Sequence, residues 1–258
     1  MHSLVSGESN MNQPEITISA VILTRNEEAR IEACLKSLSW VDEVVVIDNG
    51  SSDKTVALAK KTGAKVTLSV EKDFSRLRDI GKEKTTGDWI LYVDADEIVP
   101  EALRSEIIER TKSKGCVAYC IRRKNYYLGN PWPYQDKMQR LFLRNALVGW
   151  HGAVHETATV NGPTETLHSP LEHHTHRTLE EMVAKTNEWS VVEARLRLDA
   201  HHPPVVWWRL VRVMITGFWE SFVRNGGWRA GTVGFIESIY QGYSMFITYA
   251  KLWEMQVK

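Results

Sequence analysis

Three cysteines in 258 residues cannot all pair. Cys34, Cys116 and Cys120 therefore suit a reducing compartment better than a disulfide-stapled secreted domain. Cys116 and Cys120 stand four apart in a strand-like run and read as two small apolar residues on one face, not as a metal pair. Neither sign of charge is in excess: 32 Lys and Arg balance 32 Asp and Glu, so no strong overall field draws the chain to nucleic acid. Residues 1–15 lack the basic start and apolar run of a secretory signal and are expected to be a disordered lead-in. Neither a G-x-x-x-x-G-K-[ST] loop nor a G-x-G-x-x-G turn is present, which removes the support for a P-loop hydrolase or a dinucleotide oxidoreductase.

What the sequence does contain is a regular alternation. Ile18–Thr24 is a short apolar run, and 27–38 carries Ile31, Cys34, Leu35 and Leu38 at helical spacing. Glu43–Asp48 is a second apolar run, 53–61 a second helix with Asp53 near its N-terminus, and 64–70 a third strand. Phe74–Lys84 reads as a third helix and Trp89–Asp94 as a fourth strand. Apolar strands separated by amphipathic helices imply an α/β, mostly parallel sheet covered on both faces, and such sheets bind ligands past the carboxyl ends of their strands. At those ends stand Thr24-Arg25-Asn26-Glu27, Asp48-Asn49-Gly50-Ser51-Ser52-Asp53 and Asp94-Ala95-Asp96-Glu97. One such acid is commonly a helix cap. Three clusters on one edge call for an offsetting charge, and a divalent cation supplies it.

Asp-x-Asp at a strand end sets two carboxylates beside a nucleotide diphosphate. One can hold a cation that bridges phosphate oxygens, and the other can reach the ribose. Oxygen ligands and phosphate favour Mg2+ or Mn2+ over zinc. Asp48 and Asp53 can bond base or ribose, and Arg76 and Arg78 can pair with diphosphate or remain solvated helix charges.

Val21-Ile-Leu-Thr-Arg-Asn-Glu27, Val46-Ile-Asp-Asn-Gly-Ser-Ser-Asp-Lys-Thr55 and Gly87-Asp-Trp-Ile-Leu-Tyr-Val-Asp-Ala-Asp-Glu97 together resemble the donor half of family-2 inverting glycosyltransferases of the GT-A fold. The resemblance implies that Thr24, Arg25, Asn26, Glu27, Asp48, Asn49 and Asp53 surround the nucleotide. It sets Arg78, Asp94 and Ala95 at the donor phosphates and ribose, and Asp96 at the metal. Asn49 and Lys54 depart from the usual Asp and Gly, and neither change removes a needed carboxylate.

The second half supplies acceptor candidates. A strand-like stretch at 115–128 holds Arg122-Arg123-Lys124, and Gln139-Arg140-Leu-Phe-Leu-Arg144 leads into Trp150-His-Gly-Ala-Val-His-Glu156. Inversion at a sugar carbon needs a base for the acceptor hydroxyl. Glu156 is favoured, with Asp136, His151 and His155 as alternatives, while Arg122, Arg140 and His155 are acceptor-side candidates. The Arg-Leu-Phe and Val-His-Glu elements resemble a branch with lipopolysaccharide-core glucosyltransferases. By that resemblance His173 and Arg177, in His173-His174-Thr-His176-Arg177, lie near the donor diphosphate or its metal. A helix is expected at 179–198.

The tail is unusual. Six of ten tryptophans follow position 188, and after Pro203-Pro204 two apolar runs, 205–224 and 231–253, flank Gly226-Gly227. Each run carries one polar stripe: Arg209, Arg212, Thr216, Glu220 and Arg224 in the first, Glu237, Gln241, Ser244, Thr248 and Lys251 in the second. These charges interrupt the ~20 apolar residues that a membrane span needs. The hairpin is expected to lie in a membrane interface, to join protomers in a homo-oligomer, or to cover the catalytic domain.

The organisation expected is a lead-in at 1–15, a GT-A catalytic domain at 16–178 (donor half 16–110, acceptor half 111–178) and C-terminal helices at 179–258. The function expected is metal-dependent, inverting transfer of a hexose from a nucleotide-sugar, UDP-glucose by resemblance, onto a lipid-linked or lipopolysaccharide-core saccharide. Its setting would be the cytoplasmic side of the membrane. The alternatives are a nucleotidyltransferase, which would want a Gly-rich, Lys-bearing loop where Thr24-Arg25-Asn26-Glu27 stands, and a catalytically inactive scaffold.

Overall fold

The computed structural model describes residues 15–71, 73–113, 115–152, 156–175 and 177–258. Its elements in chain order begin with β1 (Ile18–Thr24), α1 (Ile31–Ser37), β2 (Glu43–Asp48), α2 (Thr55–Lys61), β3 (Lys65–Leu68), α3 (Phe74–Lys84) and β4 (Trp89–Asp94). Then come β5 (Glu97–Ile98), α4 (Glu101–Lys112), β6 (Ala118–Tyr127), β7 (Asn130–Leu143), β8 (Leu147–His151), β9 (Thr157–Val160), β10 (Thr164–Thr166) and β11 (Leu171–Thr175). Three long helices close the chain: α5 (Leu179–Asp199), α6 (Trp207–Trp219) and α7 (Gly231–Val257). The chain forms two compact units.

The first unit takes in the described residues up to Ala95 with Arg104–Cys120 and Gln139–Thr166. Its strands run β3-β2-β1-β4-β7. The first four are parallel, and β7 is antiparallel to β4 at Leu141–Leu143. Every residue of β1 is buried, which is why it reads as one apolar run rather than an alternation. The core gathers Val21, Val45, Ile47, Leu77, Ile90, Tyr92 and Phe142. Helix α3 lies close on β1 at Gly81, where a Cβ would sit 2.4 Å from a Val21 methyl.

β1 to β4, β6, α3 and the C-terminal helices fall close to where the sequence puts them, but α1 begins at Ile31 rather than Glu27. Asn26 takes φ +55°, and the Glu27 and Glu28 amides donate to Thr55 Oγ1 (2.8 Å) and Asp53 Oδ2 (3.1 Å). Those bonds divert what would have been the helix's first turn into a loop. Asp53 Oδ1 likewise accepts from the Thr55 amide at 2.9 Å, and α2 starts at Thr55 rather than Asp53.

At the opposite, N-terminal edge of these strands Glu43 ties three segments together. It accepts from Ser19 Oγ (2.5 Å), the Thr86 amide (2.8 Å) and Lys65 Nζ (2.5 Å). Burial pushes its carboxyl up, but the Lys65, Ser19 and Thr86 bonds outweigh that and hold it at about 2 against an ordinary 4.5. A depressed folded-state value means that this stabilisation is complete above pH 4.5 and lost as pH falls toward 2. Glu43→Gln should cost about 1–2 kcal/mol at neutral pH and flatten the acid dependence in that window. Urea unfolding at pH 7, 4 and 3 checks both; parallel losses at all three pH values would refute the linkage.

The second unit takes in Asp96–Leu103, Ile121–Met138 and Leu167–Lys258. The division between the units thus falls inside Asp94-Ala95-Asp96. Here β11 pairs parallel with β6 (Leu171 opposite Arg123) and antiparallel with β5 (His173 opposite Glu97). Strands β6 and β7 are joined by Leu128 and Gly129, both with positive φ, a two-residue hairpin turn. Helix α7 packs on α5 and α6. Two glycines let α6 and α7 come close: a Cβ on Gly242 would lie 2.9 Å from the Met214 carbonyl, and one on Gly217 3.0 Å from that of Gln241.

The amphipathy of α7 is inverted. Glu237 is 1% exposed and Ser238 and Thr248 are buried, whereas Phe235, Ile239 and Tyr243 are exposed one turn apart. On α6, Trp207 (77% exposed), Val211, Ile215 (63%) and Trp219 (61%) form a second exposed apolar ridge at four-residue spacing. Among the described residues no helix is long and apolar enough to cross a membrane.

Candidate active site

Parallel register brings the strand ends of the first unit level, with Thr24 opposite Asp48 and Leu23 opposite Asp94. Asp48 is buried, and its Oδ2 accepts from the Gly50 (3.1 Å) and Ser51 (2.9 Å) amides, shaping the loop after β2. Its Oδ1 and the Thr24 hydroxyl are both buried without a hydrogen-bond partner among the described residues. Buried polar atoms left this way cost about 1–3 kcal/mol each, so a ligand that satisfies them gains that amount. Around them Asn26 Oδ1 accepts from the Ser52 amide (2.8 Å), the Asn49 amide donates to the Thr24 carbonyl (2.9 Å), and Arg25 is exposed. Burial pushes the Asp53 carboxyl up, but bonds from Thr55 and Glu28 hold it below its usual value, which fits a loop-tying role.

Asp94, at the end of β4 and followed by buried Ala95, is gripped by two arginines. Arg140 is 2% exposed and donates to Asp94 Oδ1 (3.2 Å) and Oδ2 (2.6 Å). Arg78, on α3, donates to Asp94 Oδ1 (3.3 Å) and through Nε to Glu156 Oε1 (2.7 Å). Its guanidinium lies 5.0 Å from the Trp150 ring, and its second terminal nitrogen is buried without a partner among the described residues. Both Arg78 contacts to Glu156 fall on Oε1. Oε2 therefore has no hydrogen-bond partner among the described residues.

In the second unit, pairing of β11 with β5 brings His173 beside Asp96, with Nε2 3.2 Å from Oδ2. His173 Nδ1 meets Asn125 Oδ1 at 2.7 Å, and the Asn125 amide donates to Asp136 Oδ1 at 2.8 Å. Because that amide is committed as donor, its oxygen must accept, and the proton belongs on His173 Nδ1. The Nε2 lone pair then faces a carboxylate oxygen, an arrangement relieved by a proton or a cation. Two ligands of an octahedral ion at about 2.1 Å stand about 3 Å apart, so the pair fits one edge of a Mg2+ or Mn2+ shell. Among the described residues no group of three acidic, His or Cys side chains gathers for a metal, so such an ion would draw its remaining ligands from phosphate and water.

Arg123 completes this network, bonding Asp136 Oδ2 (2.7 Å) and lying 3.5 Å from buried Glu97. Burial pushes the Asp136 carboxyl up, but Arg123 and Asn125 hold it below its ordinary value, which makes it a poor proton acceptor near neutrality. Arg122 and Arg177 are exposed, and His151 is exposed on β8. His155 lies outside the described residues. Sequence patterns offered no signal for Asn125, or for Arg140 as a partner of Asp94, because both contacts join segments more than forty residues apart.

A family model described as Glycosyl transferase family 2 matches residues 19–162. Over 93% of its length the chain is 27% identical to the lipopolysaccharide core biosynthesis glycosyltransferase LpsC of Rhizobium meliloti (strain 1021), covering 93% of that protein. It is 29% identical to an uncharacterized glycosyltransferase of Rickettsia bellii (strain RML369-C), over 93% of this chain and 87% of that one. Among solved structures, glucosyl-3-phosphoglycerate synthase from Mycobacterium tuberculosis, in complex with Mn2+, UDP and glucosyl-3-phosphoglycerate, matches 51% of this chain and 58% of its own length. Identity there is 24%, with a TM-score of 0.40. The α/β architecture with its parallel β3-β2-β1-β4 strands is that expected of a GT-A enzyme. The family match spans more than half of the sequence, and the chain belongs to glycosyl transferase family 2.

Proposed function

We propose that this glycosyltransferase moves a hexose, glucose in the first instance, from a UDP-sugar with inversion onto a lipid-linked or lipopolysaccharide-core saccharide, assisted by Mg2+ or Mn2+. The observation that carries the donor assignment is the facing pair of His173 Nε2 and Asp96 Oδ2, which fits one edge of a Mg2+ or Mn2+ shell completed by phosphate and water. The Thr24 hydroxyl and Asp48 Oδ1 are left for base or ribose groups. Arg78, with one terminal nitrogen unspent, offers a donor to diphosphate. The ion would offset charge growing on the departing UDP. Glu156 takes the acceptor proton through Oε2, while Oε1 stays on Arg78.

Mn2+-dependent thermal stabilisation by UDP tests the donor site, and UDP that shifts nothing with or without Mn2+ would sink it. Glu156→Gln keeps an oxygen for Arg78. It should leave Mn2+–UDP affinity within about threefold while kcat falls about 10^2 to 10^4-fold. Equal losses in both would make Glu156 a positioning residue for Arg78.

The acceptor's membrane location is inferred from the tail. Arginines are held against indole rings on α6 and in the turn that precedes α7: Arg209 lies 5.5 Å from the Trp208 ring and Arg229 4.9 Å from that of Trp228. Aromatic rings with adjoining cations suit the headgroup level of a bilayer with anionic lipid, and the chain would sit there as a peripheral protein on the cytoplasmic face.

A further inference from the structure

The second unit contains a cavity of about 350 Å3 between the β6–β7 hairpin and the α6–α7 pair. That is at the small end of the ~300–1,000 Å3 usual for ligand sites. One wall is aromatic: Tyr127 and Trp132, edge to face at 4.9 Å, and half-exposed Tyr134. Trp132 is fixed from behind at Gly227, where a Cβ would come within 2.8 Å of the indole. The other wall is polar. Glu237, buried on α7, accepts from Gln241 Nε2 at 2.7 Å, and both line the cavity with Asp136. Burial and the Glu237 charge both push the Tyr127 phenol up, so Tyr127 stays a neutral hydroxyl.

Apolar ring faces opposite carboxylate and amide oxygens are the complement of a pyranose, which has C–H faces and a rim of hydroxyl donors. The charge of this lining is informative. Asp136, Glu220 and Glu237 outnumber Arg123, and Arg123 is already engaged by Asp136 and Glu97. Phosphate or carboxylate on the entering sugar would be repelled. The cavity also joins the proposed donor machinery by direct contacts, because Asn125 lines it and holds His173, which meets Asp96.

We propose that this cavity binds a neutral, unphosphorylated sugar residue of the acceptor. The inference rests on the glycosyl-transfer reading above and adds to it the place and the charge class of the acceptor. It moves recognition away from the basic run Arg122-Arg123-Lys124 and onto aromatic and acidic side chains.

The test is calorimetric titration of the full chain with core oligosaccharide from rough lipopolysaccharide, before and after enzymatic dephosphorylation, and separately with Mn2+–UDP. The dephosphorylated oligosaccharide should bind at least as tightly as the phosphorylated one. Trp132→Ala and Glu237→Gln should each weaken it at least tenfold, with Mn2+–UDP affinity unchanged within twofold. Tyr134→Ala, at a half-exposed position that leaves packing intact, should weaken it at least threefold and decides the matter if the buried variants misfold. Unchanged saccharide affinity in Tyr134→Ala and in the folded buried variants would overturn the proposal. So would binding of the phosphorylated form alone, or a wild type that takes Mn2+–UDP but neither saccharide. A wild type that takes neither nucleotide nor saccharide would remove the glycosyl-transfer reading itself.

Discussion

Asp96→Ala should lower kcat/KM for sugar transfer by at least about a thousandfold while leaving the unfolding midpoint nearly unchanged. In the proposed metal role Asp96 supplies one side of the His173 pair, and its loss would leave His173 Nε2 with no carboxylate beside it to share a cation. Metal-assisted stabilisation of a leaving group contributes several kcal/mol to the barrier, and each ~1.4 kcal/mol is a factor of ten in rate. The fold should survive because the local backbone bond runs from the His174 amide to the Asp96 carbonyl and does not use the side chain. The variant should also lose the Mn2+ dependence of UDP binding while keeping a weaker, metal-independent affinity. His173→Ala, measured in parallel, should reproduce the lost metal dependence, since it removes the other half of the edge. Activity within tenfold of wild type in Asp96→Ala would exclude Asp96 from the metal site.

The triple variant Trp207→Gln, Ile215→Gln, Trp219→Gln should reduce partition onto vesicles containing one-third anionic lipid by about 100-fold. The three side chains are largely exposed on one ridge of α6, so their replacement changes little of the folded interior. Inserting each into the interface is worth about 1 kcal/mol, a fraction of full burial, and three together give about two powers of ten. Sedimentation with sucrose-loaded vesicles at low and high salt measures it. Raising salt should weaken the wild type further, because Arg209, Arg212 and Arg229 contribute through anionic headgroups. Equal sedimentation of wild type and variant would dismiss the lipid surface and leave the ridge to a second protomer.

Much of the first unit was legible because its determinants are local. Ile18–Thr24, Glu43–Asp48 and Trp89–Asp94 are buried apolar runs, and Phe74–Lys84 is a helix capped by Asp73. The start of α1 was not, because bonds to Asp53 and Thr55 across the strand ends override helical propensity at Glu27 and Glu28. At the site, the polar residues after each strand could be found by position. Their pairings could not. Arg140 lies forty-six residues from Asp94 and Asn125 forty-eight from His173. The polar stripe of α7 was correctly recognised, yet periodicity alone could not reveal that it faces inward and the apolar face outward.

That outward apolar face also bears on kinetics. An enzyme held on a lipid surface meets an acceptor held on the same surface in two dimensions, so the relevant variable is the acceptor's mole fraction in the lipid rather than its bulk concentration. Adding inert lipid or detergent at constant total acceptor would then slow turnover by surface dilution. A soluble oligosaccharide would give a KM set by the cavity alone, without the gain in encounter that exposed Trp207, Ile215 and Trp219 would provide if α6 rests on lipid.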